Sequence, residues 1–170
     1  MPPETPTAEP ILVVDDDAAV AGLMAAVLRR ESLRAEVVSD GPSALSALDG
    51  GRWRLVLTDM TMPGMSGLEL VRAAAERQLP ATFLLVSAYL DAEQELEVMA
   101  EADIVGVVRK PFDVSQLVAD VRGVLAIREA GLAVTTEPAT EPTVLQPAAR
   151  RTEDDHAAPG HGGATGTAAG

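Results

Sequence analysis

The chain has 170 residues, of which 13 are Lys or Arg and 26 are Asp or Glu, giving a net charge of −13. This acidic balance argues against direct binding of nucleic acid or of an anionic membrane surface, because both interactions need Lys and Arg. The chain has no cysteine, which excludes disulfides, iron–sulfur clusters, thiolate zinc sites and cysteine nucleophiles.

Two changes in composition divide the chain, whose length is typical of one domain. Residues 1–9 hold three Pro, and residues 132–170 are mainly Ala, Pro, Gly, Thr and acidic residues. Such segments cannot bury enough apolar surface to offset chain entropy, so we expect both to be disordered around one domain at residues 10–131. The N-terminus does not resemble a signal peptide and no aliphatic run could span a bilayer, so we expect a cytoplasmic protein.

Five short apolar segments are spaced along the expected domain and predict five buried β-strands. They are nearly continuous rather than alternating, which is typical of a parallel sheet covered by helices on both faces. The segments are Ile11–Val14, Ala35–Val38, Leu55–Leu57, Thr82–Val86 and Ile104–Val108.

Helical periodicity fills the stretches between these strands. In the first and the last stretch, apolar residues recur at the spacing of one helix face, which predicts a buried face for each helix. The first face comprises Val20, Leu23, Met24, Val27 and Leu28, and in the last stretch Leu117, Val121, Val124, Leu125 and Arg128 follow a similar spacing. The fourth stretch is weaker, and we expect its apolar stripe to consist of Leu96, Met99 and Ala100.

Capping residues mark three of the predicted helix starts. Ser66 with Glu69, and Asp113 with Gln116, fit the pattern in which a capping side chain precedes Glu or Gln by three residues. The segment 40–42, Asp-Gly-Pro, predicts the start of the second helix, with Pro in its first turn.

Five strand–helix units predict an α/β fold with a doubly wound, five-stranded parallel sheet. In such sheets the functional site lies beyond the carboxyl ends of the strands, where the strand order reverses. The side chains at those ends are Asp15, Asp16 and Asp17 after the first strand, Asp59 after the third, Ser87 after the fourth and Lys110 after the fifth.

These strand ends predict a pocket of carboxylates with one ammonium and one hydroxyl. Neighbouring carboxylates repel one another unless their pKa values rise or a cation lies among them. Oxygen ligands suit Mg²⁺, which keeps waters that a phosphate can replace. A divalent cation, an ammonium and a hydroxyl around one carboxylate can stabilise a phosphoryl group on that carboxylate. Asp17 is expected to cap the following helix instead.

The type of basic residue at the pocket is itself informative. Of the 13 basic residues in the chain 12 are Arg, and Lys110 is the single Lys. A composition that otherwise avoids Lys therefore places one at the predicted site, which indicates a need for a compact ammonium rather than a planar guanidinium.

Four motifs, in order and at fitting spacings, resemble the receiver domain of two-component response regulators. They are Val13–Asp16, Leu57–Gly67, Val86–Ala88 and Lys110–Phe112. The resemblance covers residues 10–131 and implies a flavodoxin-like sheet with strand order 2-1-3-4-5. Because no output module follows in this sequence, we expect a stand-alone receiver.

The resemblance also implies a role for each pocket residue. Asp59 would be the phosphoacceptor, Ser87 would hydrogen-bond a phosphoryl oxygen, and Lys110 would pair with the phosphoryl group. The implied Mg²⁺ ligands are Asp15, Asp16, Asp59 and the main-chain carbonyl of Thr61, with Asp16 the favoured direct ligand. The family usually has a cis peptide between its Lys and the next Pro, so we expect Lys110–Pro111 to be cis.

The implied partners are a histidine kinase or histidine phosphotransfer protein as donor and an unidentified downstream protein, without nucleic acid or membrane. Val107 stands three residues before Lys110, where the family commonly has an aromatic ring that carries the signal. This departure leaves open a receiver-like adaptor that docks without phosphorylation. An Asp-nucleophile phosphatase is disfavoured, because that class has an acid where Thr61 stands.

Overall fold

The computed structural model describes residues 9–131 of the chain. The expected disordered segments lie outside the described residues, apart from Glu9, so their disorder and the domain boundaries remain predictions. None of the helices in the described range is both long and apolar enough to cross a membrane.

Strands and helices alternate along the described chain, as the sequence predicts. They are β1 (Ile11–Val14), α1 (Ala18–Arg30), β2 (Ala35–Val38), α2 (Gly41–Gly50), β3 (Leu55–Asp59), α3 (Gly67–Glu76), β4 (Phe83–Ser87), α4 (Ala92–Ala100), β5 (Ile104–Arg109) and α5 (Val114–Glu129).

All neighbouring strands are parallel, and the sheet order is β2-β1-β3-β4-β5. This arrangement confirms the predicted doubly wound sheet and its strand order. The order reverses between β1 and β3, because β2 lies on one side of β1 and all later strands lie on the other. The carboxyl ends of β1 and β3 therefore flank the expected position of a functional site.

Two apolar clusters cover the two faces of the sheet, since successive side chains of a strand point to opposite faces. Leu12 and Val14 of β1 belong to the cluster that includes residues of α2, α3 and α4. Ile11 and Val13 belong to the cluster that includes residues of α1 and α5. The near-continuous apolar strands predicted from the sequence are thus explained by burial on both faces.

The apolar residues of the predicted α5 face are confirmed as buried, whereas Arg128 at its end is exposed and the predicted face of α1 is partly wrong. Leu117, Val121, Val124 and Leu125 are all buried. On α1, Leu23 is 50% exposed, and Ala21 and Ala25 are buried in its place. The two alanines share a helix face with Met24 and Leu28, and their small side chains let that face lie close to the sheet.

Edge position explains a second difference. β2 is an edge strand, and its Val37 is 42% exposed although the sequence suggested burial. An edge strand has a neighbour on one side only, so the helices cover its faces less completely than those of β1 or β3.

The residues of the predicted α4 stripe do share one side of the helix, but that side is exposed and not buried. Leu96 and Met99 are 70% and 59% exposed, and Ala100 is also exposed. Val98 is the one buried residue of this helix. Because α4 leads to the edge strand β5, it meets less of the sheet than the other helices do, and one apolar side chain fills the contact.

The capping predictions are largely confirmed. Ser66 and Glu69 form a reciprocal capping box at the start of α3. Asp40 caps α2 by accepting a hydrogen bond from a main-chain N–H, and Asp113 caps α5 in the same way. The side chain of Gln116 does not complete a box at α5 but bonds within the helix.

Candidate functional site

Two buried carboxylates lie side by side where the sheet order reverses. The register of β1 and β3 pairs Val14 with Thr58, so Asp15 and Asp59 are the next residues on adjacent strands. Their exposed fractions are 1% and 8%. Burial of two acids at one point of the sheet is costly unless a cation compensates them, which makes this point a candidate site.

The ammonium of Lys110 lies between these two carboxylates. Its Nζ is 3.1 Å from Oδ2 of Asp15 and 3.3 Å from Oδ1 of Asp59. The main-chain N–H of Lys110 donates to the carbonyl of Ser87 at 2.8 Å, which fixes the end of β5 beside β4. The Lys110–Pro111 peptide is cis, as expected.

The protonation behaviour of the pocket follows from its burial and its charges. Burial raises the pKa of Asp59 above its ordinary value, and the charge of Asp15 acts in the same direction. The charge of Lys110 opposes the rise without cancelling it. Burial alone would lower the pKa of Lys110, but its hydrogen bond to Asp15 and the nearby charges raise the pKa overall, so the lysine stays cationic.

Asp16 joins the two buried acids from the solvent side. Carboxylate oxygens of Asp15, Asp16 and Asp59 lie within 4.8 Å of one another. Three carboxylates beside one ammonium leave negative charge uncompensated, and a hard divalent cation with oxygen ligands fits that need. Asp15 already accepts from the main-chain N–H of Asp17 at 2.9 Å and from Lys110, so Asp16 has more oxygen capacity free for an ion.

The third acid of the triplet has the predicted structural role. Asp17 caps α1 by accepting hydrogen bonds from the main-chain N–H groups of Ala19 at 2.9 Å and Val20 at 3.2 Å. Its carboxylate is occupied by the helix end and is not part of the acidic cluster.

A family model described as the response regulator receiver domain matches residues 11–122 of this chain. The chain belongs to the response regulator receiver family. The sensory transduction protein RegX3 of Mycobacterium tuberculosis is 33% identical over 115 residues, which are 68% of this chain and 50% of RegX3. The DNA-binding response regulator MtrA of Mycobacterium leprae is 40% identical over 114 residues, 66% of this chain and 49% of MtrA. The receiver thus spans about half the length of these relatives.

Solved structures agree with the receiver fold. A CheY-like receiver domain from Methanospirillum hungatei matches with a TM-score of 0.68 and 23% identity, over 72% of this chain and 98% of that domain. A response regulator receiver protein from Pseudomonas putida matches with a TM-score of 0.62 and 28% identity, over 68% of this chain and 98% of its own.

Two of the predicted site residues, Ser87 and Thr61, make hydrogen bonds other than the predicted ones. Ser87 ends β4, and its hydroxyl donates to the main-chain carbonyl of Tyr89 at 2.8 Å, so the hydroxyl is engaged within its own loop. Thr61 is exposed, and its main-chain N–H, directed at the Asp59 carboxylate, lowers the pKa of that acid. The role of the Thr61 carbonyl as a metal ligand remains a prediction.

Gly67 is a residue of the site to which sequence reasoning assigned no role. A Cβ added there would lie 2.4 Å from the main-chain oxygen of Asp59, so only glycine allows α3 to begin this close to the end of β3. Its main-chain N–H donates to the carbonyl of Met60 at 3.0 Å and closes the loop. The sequence did contain a sign of this role, because Gly67 is the last residue of the Leu57–Gly67 motif.

Proposed function

We propose that this receiver accepts a phosphoryl group on Asp59 from a histidine kinase or a histidine phosphotransfer protein, and that it acts through protein–protein contacts. The observation that carries the proposal is the ammonium of Lys110 lying between the carboxylates of Asp15 and Asp59, with Asp16 alongside. A cytoplasmic location belongs to the same proposal, and the stand-alone form of the receiver remains a prediction.

The chemistry proposed for the pocket is an in-line transfer. An Asp59 oxygen forms a bond to phosphorus while the bond between phosphorus and the donor imidazole nitrogen breaks, and the nitrogen keeps the electron pair. Lys110, 3.3 Å from Asp59, compensates charge on the phosphoryl oxygens. The proposed Mg²⁺ ligands are Asp15, Asp16, Asp59 and the carbonyl of Thr61. When bound, Mg²⁺ would neutralise and orient the phosphoryl oxygens.

Ser87 is proposed to donate to a phosphoryl oxygen once the group is attached. To do so it must release the Tyr89 carbonyl that it now contacts at 2.8 Å. The proposed transfer therefore includes a change in the loop after β4, and the hydroxyl of Ser87 is the group that joins the two events.

A second candidate is an adaptor that docks without phosphorylation. Val107, partly buried against the cluster under α4, favours this candidate, because a short branched side chain cannot make the swing expected of an aromatic ring. The absence of nucleic-acid binding also remains a prediction, since MtrA is named as DNA-binding and this chain spans 49% of it.

Labelling with a small phosphodonor tests the proposal directly. The purified chain should be labelled by acetyl phosphate in the presence of Mg²⁺, and Asp59→Asn should abolish the label, read as a mobility shift or as incorporated radioactive phosphate. Asp49→Asn is the matched control, because Asp49 is an exposed acid on α2. Undiminished labelling of Asp59→Asn would remove the assignment, and no labelling of any form would favour the adaptor.

A further inference from the structure

The β3–α3 loop, residues 60–66, contains three methionines, which are Met60, Met62 and Met65. The first two are buried, with exposed fractions of 5% and 7%, whereas Met65 is half-buried. A thioether that is both packed and partly open to solvent can be reached by a small oxidant. Met65 is therefore the methionine of this loop whose sulfur chemistry is accessible from solution.

The thioether of Met65 lies directly on the first residue of α2. A Cβ added to Gly41 would lie 2.5 Å from Sδ of Met65 and 2.8 Å from its Cγ, so the missing side chain of Gly41 leaves the space that Met65 fills. Gly41 is buried, and Met65 also packs against the core cluster on this face of the sheet. The contact thus joins the β3–α3 loop to the start of α2.

The β3–α3 loop also lies next to the acidic pocket. Its two ends are joined by the hydrogen bond from the main-chain N–H of Gly67 to the carbonyl of Met60 at 3.0 Å. Thr61, whose main-chain N–H is directed at the Asp59 carboxylate, lies within this closed loop. A change at the Met65 contact therefore acts on a compact segment that includes Thr61.

We propose that Met65 is a reversible oxidation site at which hydrogen peroxide loosens the β3–α3 loop from α2. Sδ attacks one peroxide oxygen and the O–O bond breaks; the hydroxide that leaves takes the proton from the oxygen now bound to sulfur. Sulfur loses two electrons, the peroxide gains two, and the products are a sulfoxide and water. The sulfoxide is polar and larger than the thioether, so it no longer suits the close apolar contact with Gly41. The proposal goes beyond phosphoryl transfer, since the reaction uses no group of the acidic pocket.

The order of oxidation is the first measurement. The full-length chain is treated with hydrogen peroxide, and the sulfoxide at each methionine is followed with time by peptide mass spectrometry. Met99, which is 59% exposed, should be oxidised first and serves as the reference for an open side chain. Met65 should follow, well before the buried Met60 and Met62.

The consequence for the fold is the second measurement. Oxidation of Met65 should lower the melting temperature by about 5 °C, as expected for the loss of one packing contact in a domain of this size. Amide hydrogen exchange should become faster over residues 41–45 and 61–66, on the two sides of the contact. Treatment with methionine sulfoxide reductases should restore both properties.

Three variants separate Met65 from general oxidative damage. Met65→Leu keeps an apolar side chain of similar volume but forms no sulfoxide, so peroxide should leave its melting temperature and exchange unchanged. Met99→Leu is the matched control and should respond to peroxide as the wild type does. Met65→Gln places a polar group at the same contact and should show the faster exchange without peroxide.

Three results would overturn the proposal. The first is oxidation of Met65 no faster than that of buried Met62. The second is an oxidised chain that keeps its melting temperature and its exchange over residues 41–45. The third is an equal loss of stability in peroxide-treated Met65→Leu, because another residue would then be responsible.

Discussion

At the scale of single residues, three consecutive aspartates have three different surroundings. Asp15 is buried against the Lys110 ammonium, Asp16 is exposed at the rim of the acidic cluster, and Asp17 accepts hydrogen bonds from the first turn of α1. The same side chain therefore serves as a buried ion-pair partner, as a candidate metal ligand or as a helix cap. What differs is its position relative to the end of β1.

Substitution of two of these acids distinguishes their roles. Asp16→Ala should lose most Mg²⁺ affinity and all labelling, yet melt at a higher temperature than wild type in EDTA, because like-charge repulsion in the cluster is relieved. Asp17→Ala should keep Mg²⁺ binding but lose about 1 kcal/mol of stability with its cap. Thermal melting by circular dichroism, with and without Mg²⁺, measures both. A lower melting temperature for Asp16→Ala in EDTA would assign it a structural role instead.

At the scale of elements, the loop between β4 and α4 connects Ser87, at the pocket, with a helix at the surface. Ser87 at the end of β4 holds the Tyr89 carbonyl, and α4 beyond it buries only Val98. The side chain of Val107 is partly buried against the core cluster that includes Leu90 and Val98, and its branching at Cβ leaves it little rotamer freedom. The loop and the start of α4 are therefore less firmly packed than β5.

Hydrogen exchange with beryllofluoride as a phosphoryl mimic tests this difference. Protection of main-chain amides from exchange should change over residues 87–97, because the Ser87 hydroxyl must release the Tyr89 carbonyl. It should hardly change over residues 104–109. An equally large change across β5 would show that the side chain at position 107 does not limit the switch. Asp59→Asn provides the control, because adding the mimic to this variant should leave protection unchanged in both segments.

The same elements show what could be predicted from the sequence. The meeting of Asp15, Asp59 and Lys110 was predictable, because parallel strands bring their carboxyl ends to one edge of a sheet. The exposure of the apolar stripe of α4 was not predictable, since periodicity identifies a helix face but not what that face meets. Whether that face is buried depends on how α4 packs on the rest of the fold, where Val98 makes the buried contact and Arg72 and Arg109, outside the helix, pair with Glu101 and Glu95. The direction of the Ser87 hydroxyl depends on a side-chain torsion that no pattern encodes.

At the scale of the whole molecule, the buried core of the described residues is drawn from one continuous segment of the chain. All buried apolar residues of the described range lie between Ile11 and Leu125, and both core clusters are drawn from them. The acidic pocket also lies within these limits, since its groups extend from Asp15 to Lys110.

A fragment of residues 10–131 should therefore unfold in one cooperative transition at nearly the melting temperature of the full chain. It should also be labelled by acetyl phosphate at the same rate, because it retains every proposed ligand and donor. Calorimetry and the labelling assay measure the two properties. A fragment that is unfolded or unlabelled would place an essential contribution in residues 1–9 or 132–170.

The single lysine has a practical consequence for chemical modification. An acylating reagent meets only two kinds of amine on this chain, the α-amino group and Nζ of Lys110. Acylation of that one nitrogen would remove the positive charge held at 3.1 Å from Asp15 and 3.3 Å from Asp59. The mass increase on one tryptic peptide would then report, without any substitution, the fraction of molecules whose pocket has lost its ammonium.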